Sequence, residues 1–231
     1  MKSYVWPLAL LLQSWLAFAA TTFAADASKQ PRVGIDTSFG DRFHEAAEAG
    51  RHKRYDELVA KVTLALAMKP DRKNAAILYL WRGVAFGKLG YFSRALADYT
   101  AAIESDPTVQ HVYYYRGNLY SRRGEFSKAI SDLTIALRTE SDKASTYRSR
   151  GAAHAEMAQK EAARSDYEQV TRLPAKEGED FTIRAEAYFA LGQYRAAYSD
   201  NAKARRMEGE HAFVLNAAAW FEATCPDPAF P

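Results

Sequence analysis

Four arginines and four aspartates recur in fixed phase along this chain and are its most regular charged groups. Arg82, Arg116, Arg150 and Arg184 succeed one another at 34-residue steps, and Asp98, Asp132, Asp166 and Asp200 do the same. Each Arg precedes its Asp by 16 residues. A guanidinium can meet a carboxylate through two parallel hydrogen bonds, which fix geometry as well as supplying energy. If the Arg lies in one helix and the Asp in the next, an antiparallel hairpin brings them together, within one repeat or across neighbours. The competing reading is a set of solvated charges that contribute almost nothing each. Recurrence of both partners in every copy favours the pair.

The remaining reactive residue types form no catalytic pattern. The five histidines, His44, His52, His111, His154 and His211, are scattered, and none belongs to an HExxH or other short metal-binding spacing. Ser, His and Asp are all present, but no nucleophile motif frames them. His154 stands where an aromatic recurs in the other copies, so packing is its expected role. Most of the 14 tyrosines fall at helical core spacing. Cys225 is the sole cysteine, which rules out an intrachain disulfide and leaves a free thiol or a bond between two chains. Lys and Arg total 31 against 28 Asp and Glu, well mixed, so nucleic acid is not an expected partner. These features lead us to expect no enzyme activity, no cofactor and no metal.

The elements that must position the charges follow from the same period. Segments starting at Tyr79, Tyr113, Tyr147 and Phe181 align without a gap. Gly83, Gly117, Gly151 and Ala185 follow the arginines. Phe86, Tyr120, His154 and Tyr188 come three residues later. Gly90, Gly124, Ala158 and Gly192 mark a turn, and Ala95, Ala129, Ala163 and Ala197 recur beyond it. A period of this length, with helical spacing on both sides of a turn, reads as a helix–turn–helix unit. Gly in the first helix costs about 1 kcal/mol in propensity, so its repeated use points to close helix contact.

The expected boundaries are four regular repeats over 76–109, 110–143, 144–177 and 178–211, a divergent repeat over 42–70 and a capping helix over 212–224. Residues 26–41 read as a flexible leader and 225–231 as a tail. Residues 1–25 read as a signal peptide. Lys2 precedes an apolar run, and Ala17, Ala19, Ala24 and Ala25 follow in the order of a cleavable export signal. The alternative is an uncut N-terminal anchor. Once the signal is cut, no stretch is long and apolar enough to span a bilayer. The expected location is therefore periplasmic or secreted.

The aromatic starts, the small residue in the first helix with its following aromatic, the alanine of the second helix and Pro107 resemble the tetratricopeptide repeat family. The Arg–Gly pair with a later Asp resembles a variant of bacterial members, whereas the family usually has Leu in place of the Arg. His154, Ala158 and Val170 make the third copy looser, and Asn201 replaces a large apolar residue in the fourth. Residues 216–228 also resemble a stretch that joins or closes such arrays. The resemblance covers about residues 42–224.

The resemblance implies an all-α fold, a right-handed α–α superhelix of stacked hairpins, with first helices lining a concave wall. It places Leu80, Val84, Gly87 and Lys88 on that wall, then Tyr114, Asn118, Ser121 and Arg122. Arg148, Ala152, Ala155 and Glu156 come next, then Thr182, Glu186, Phe189 and Ala190. Some members grip a terminal carboxylate there with basic side chains. Tyr114 and Ser149 replace the basic residues this needs, so that activity is not carried over. The expected function is a non-catalytic scaffold holding a peptide or protein segment. A band near Arg122, Arg123, Arg148 and Arg150 suits an acidic one. The alternative is an assembly subunit that uses its convex face or ends. The partner's identity and the oligomeric state are not legible.

Overall fold

The computed structural model describes residues 37–139 and 142–208. Among them are ten helices and no strand: α1 (Thr37–Arg51), α2 (Tyr55–Ala67), α3 (Arg72–Lys88), α4 (Phe92–Ser105), α5 (Val112–Arg122), α6 (Phe126–Thr139), α7 (Lys143–Glu156), α8 (Lys160–Arg172), α9 (Gly178–Ala190) and α10 (Tyr194–Glu208). The fold is all-α, of the stacked-hairpin kind the repeat period predicts. Two compact units, Met1–Tyr115 and Arg116–Pro231, divide it within α5.

In the first unit α1 pairs with α2, α2 packs on α3, and α3 pairs with α4. The second helices bury a narrow stripe. Leu58, Val62 and Ala65 of α2 are buried, as are Ala95, Tyr99 and Ala102 of α4. These positions recur every three or four residues, so one helical face carries the burial. Phe43 of α1 packs on Trp81 of α3 with ring centroids 4.7 Å apart, and Tyr99 stacks on Tyr115 at 6.2 Å.

In the second unit α6 packs on α7, α7 pairs with α8, α9 packs on both, and α9 pairs with α10. Ala129, Leu133 and Ala136 repeat the buried stripe in α6, as do Ala163 and Val170 in α8. Val170, Ile183 and Ala187 form a cluster that Ala144, Tyr147 and Tyr167 close.

Every hairpin turns in the same way. Gly90, Gly124 and Gly192 have φ of +85°, +76° and +73°, and Ala158 and Lys53 adopt the same left-handed conformation at +57° and +56°. At each, the next residue's N–H reaches back across the turn: Tyr91 to the Phe86 carbonyl, Glu125 to Tyr120, Gln159 to His154, Gln193 to Tyr188 and Arg54 to Ala49, all at 2.8–3.0 Å. This closes the helix end and satisfies carbonyls that would otherwise lack a partner. Lys53 thus marks the divergent first repeat as built on the same plan.

Three first helices, α3, α7 and α9, start on side-chain caps. Asp71 accepts from the Asn74 N–H at 3.0 Å, Asp142 accepts from Ser145, and Glu177 with Asp180 forms a reciprocal capping box.

One boundary differs from the sequence expectation. Helix α1 begins at Thr37, five residues inside the stretch read as leader. Phe39 lies one turn before Phe43, with ring centroids 6.1 Å apart, and extends the apolar face that a start at 42 truncates. The expected signal peptide, capping helix and tail lie outside the described residues. No helix among the described residues is long and apolar enough to cross a membrane.

Candidate functional site

The phased charges meet within each hairpin. Nε and Nη2 of Arg82 donate to the two carboxylate oxygens of Asp98, both at 2.8 Å. Arg116 holds Asp132 at 2.7 and 2.9 Å, Arg150 holds Asp166 at 2.9 and 2.7 Å, and Arg184 holds Asp200 at 2.7 and 3.2 Å. Each pair spans from the first helix to the second of its own repeat. All four aspartates are buried. Hydrogen bonding to the carboxylate holds the guanidinium groups of Arg82, Arg150 and Arg184 above their ordinary value, against the opposing effect of burial. Rings enclose the cations: Tyr79 under Arg82, Tyr147 under Arg150 and Phe181 under Arg184, at 5.3–5.7 Å.

The ladder also ties hairpin to hairpin. Arg82 Nη1 donates to Thr63 Oγ1 of α2 at 3.2 Å, and Arg150 Nη1 donates to Thr134 Oγ1 of α6 at 3.1 Å. Each threonine hydroxyl in turn donates to the carbonyl one turn back in its own helix, at Val59 and Ile130. Sequence reading missed these threonines. For Thr134 a signal was present, because Thr100 and Thr134 lie 34 residues apart, each 16 before an arginine of the ladder; Thr63, 19 before Arg82, falls outside that spacing.

The glycines admit close approach. A Cβ on Gly83 would stand 2.7 Å from Tyr99 Cε1, and one on Gly117 would stand 2.9 Å from Leu133 Cγ. Gly151 faces Tyr167 and Asp166 at 3.1 and 3.2 Å. In the fourth repeat the same register holds Ala185 and Asn201, a larger residue opposite a smaller one, both buried. His154, in the aromatic slot, places Nδ1 2.6 Å from Gln159 Oε1 and Nε2 3.9 Å from Asp166.

The expected wall residues fall into two groups. In the first unit Leu80, Val84 and Tyr114 are buried, and Lys88 is half-buried. Side chains already packed offer little surface to a ligand. In the second unit Arg122, Ala152 and Glu156 are exposed, and Asn118, Ser121 and Phe189 are half-buried. Thr182 is fully buried, with its hydroxyl donating to the Gly178 carbonyl at 3.0 Å. Phe189 meets Tyr194 edge-on at 5.3 Å.

Within that second group one contact crosses repeats. Arg148 Nη1 of α7 donates to Glu186 Oε2 of α9 at 2.9 Å, with side chains 21% and 12% exposed. Burial pushes the Glu186 carboxyl up, and Arg148 opposes this. Beside them burial pushes the Tyr167 phenol up to about 12. The expected basic band is therefore largely neutralised: Arg150 is committed to Asp166, Arg148 to Glu186, and Arg123 to Glu125 at 2.8 Å. Among the described residues no three His, Cys, Asp or Glu side chains gather as a metal site requires.

Uniform hairpins joined by an internal charge ladder define a helical-repeat protein. The tetratricopeptide repeat model matches residues 76–109, the first regular repeat. A thermophilic TPR protein of Thermus thermophilus is 19% identical, with 80% of this chain and 97% of that one covered and a TM-score of 0.62. MamA from Desulfovibrio magneticus RS-1 (residues 41 to the end) is 14% identical, with 77% and 99% covered and a TM-score of 0.59. Another MamA structure is 18% identical, with 77% and 96% covered and a TM-score of 0.56. No curated protein matches the sequence. Residues 76–109 thus match a tetratricopeptide repeat, and the chain shares the stacked-hairpin fold of these TPR structures.

Proposed function

We propose that this protein is a non-catalytic scaffold that holds a peptide or protein segment against the first helices of its second unit. The observation that carries this reading is the contrast between buried and exposed side chains. The ladder aspartates are buried in their hairpins, and Arg122 on α5 and Ala152 and Glu156 on α7 are exposed to solvent. Exposed mixed polar and small residues on successive helices suit an extended ligand, which gains main-chain and side-chain contacts together. Repeat folds host unrelated partners, so the site and not the fold must identify this one.

The test is capture of partners by the tagged mature chain, repeated with Arg122→Glu and Ala152→Arg. The groove reading expects both changes to abolish the same interaction while the melting temperature is kept. An interaction indifferent to both would transfer the footprint to the convex face or the ends. We further infer export, which rests on the order of charge, apolar run and small residues over 1–25. Mass spectrometry of the mature N-terminus checks it: an intact Met1 in the cytosolic fraction alone would overturn it.

A further inference from the structure

We propose that the seam between α6 and α7 is a hinge, a place where two neighbouring hairpins part while each stays folded. The inference goes beyond the groove reading and does not depend on which face binds a partner.

Three observations carry it. The first is a register. Trp81, Tyr115, Ser149 and Ile183 succeed one another at 34-residue steps in the first helices. Trp81 packs on Phe43 of α1, Tyr115 stacks on Tyr99 of α4, and Ile183 clusters with Val170 of α8. This position therefore seats a first helix on the hairpin before it. In α7 it holds Ser149, which is buried but brings little apolar surface. The second is that the neighbours of Ser149 are small or polar too. The buried residues of α7 are Ser145, Thr146, Ser149, Gly151 and Ala153, whereas α3 buries Leu78, Leu80, Trp81 and Val84. Thr146 stands at the register of Leu78 and Val112, and across the seam Ala136 of α6 stands where α8 has Val170. The third is the link that does cross the seam, a hydrogen bond from Arg150 Nη1 to Thr134 Oγ1 at 3.1 Å.

Stacked hairpins are held together mainly by the apolar area each buries against its neighbour. A hydrogen bond holds them less firmly, because water replaces it when they part. Parting at this seam exposes hydroxyls and methyl groups in place of rings and branched chains. The rest of the structure resists the same motion. Arg150 keeps both oxygens of Asp166 within the α7–α8 hairpin, and Val170, Ile183 and Ala187, with Tyr147 and Tyr167 against them, hold that hairpin to α9. Motion between α6 and α7 changes the spacing of exposed Arg122 on α5 from Ala152 and Glu156 on α7, so the surface offered to a partner is adjustable there.

Ala85, Ala153 and Ala187 occupy one register of α3, α7 and α9, and all are buried. Ala85→Cys, Ala153→Cys and Ala187→Cys are made singly in the full chain carrying Cys225→Ser, so that one thiol remains. Its reaction with a nitrobenzoate disulfide reagent is followed under native conditions. The expected result is that the Ala153→Cys variant reacts about tenfold faster than the other two, because its thiol is uncovered by local opening. Thr146→Val supplies the residue that Val112 provides one repeat earlier, at nearly constant shape, and should slow that reaction several-fold. Equal rates at the three positions overturn the proposal. So does a fastest reaction in Ala187→Cys, which is opening from the end of the array, or a rate in Ala153→Cys that Thr146→Val leaves unchanged. A second measurement leaves the core untouched. Ser131, Ser165 and Ser199 are exposed at one register of α6, α8 and α10. Nitroxide labels on Ser131→Cys/Ser165→Cys straddle the proposed hinge, and those on Ser165→Cys/Ser199→Cys straddle the next seam. The first pair should give the broader distance distribution by pulsed electron resonance; equal widths also overturn the hinge. Failure of the groove reading shows separately, as partner capture unaffected by Arg122→Glu.

Discussion

Nη1 of Arg150 donates to Oγ1 of Thr134 at 3.1 Å, across the seam between α6 and α7, while its other two donors hold Asp166 within its own hairpin. One side chain thereby fixes both the internal register of a repeat and its seat on the preceding helix. Thr134→Val keeps the shape and removes the acceptor. We expect a loss of about 1.5–3 kcal/mol, the range for a hydrogen bond to a charged group, read from urea unfolding. The same substitution at exposed Thr139, whose hydroxyl bonds only to carbonyls of its own helix among the described residues, is the control.

The Arg116–Asp132 pair is mostly buried, with 17% and 6% of the side chains exposed. Asp132→Ala strands a guanidinium and should cost about 3–5 kcal/mol. In a double-mutant cycle with Arg116→Met the coupling should be about 2–3 kcal/mol. A coupling near zero would return the ladder to the status of solvated charge.

Close packing at the glycines predicts a clash. Gly117→Leu drives a side chain into Leu133 Cγ and the Ala129 carbonyl, 2.9 and 3.3 Å from the new Cβ, and should cost at least about 1–3 kcal/mol by thermal melt. The Ala185–Asn201 combination makes a second prediction. Ala185→Gly should open a void opposite Asn201, and Asn201→Leu should overpack against Ala185. The double change should cost less than the sum of the two.

Ala158 adopts φ +57° at a turn where three other repeats use glycine. The left-handed region costs a residue with Cβ about 1–2 kcal/mol. Ala158→Gly removes that strain but widens the unfolded ensemble, so the net expected gain is about 0.5–1 kcal/mol. Gly124→Ala should lose a similar amount. A melting temperature lower in Ala158→Gly than in the parent would refute a strain larger than the entropic cost of the glycine.

Tyr167 links stability to alkaline pH. Its folded value of about 12 exceeds the ordinary 10 because burial disfavours the phenolate. Between those values the folded state keeps a proton that the unfolded state loses, so stability falls as pH rises. The contribution is intact below pH 10 and lost by about pH 12, amounting to about 2–3 kcal/mol for a two-unit difference. Tyr167→Phe should flatten this part of the stability profile, measured against the parent because other tyrosines titrate there too.

The sequence by itself determined the hairpin, its length and the partners inside it. A constant period with apolar residues at helical spacing leaves stacking as the way to bury those faces, and a fixed 16-residue offset puts Arg82 with Asp98 once the hairpin closes. Gly90 and its relatives announced the turn because few other residues tolerate its backbone. Tertiary structure alone decided what departs from the period. Thr63 reaches Arg82 across a three-residue insertion, and Arg148 reaches Glu186 over 38 residues, four beyond the repeat. It also decided which of the expected wall residues are accessible, burying Leu80, Val84 and Thr182 while exposing Arg122 and Glu156. The physical reason is that periodicity encodes contacts every repeat shares, whereas burial and cross-repeat pairing depend on how each hairpin's own side chains fill the space beside the next.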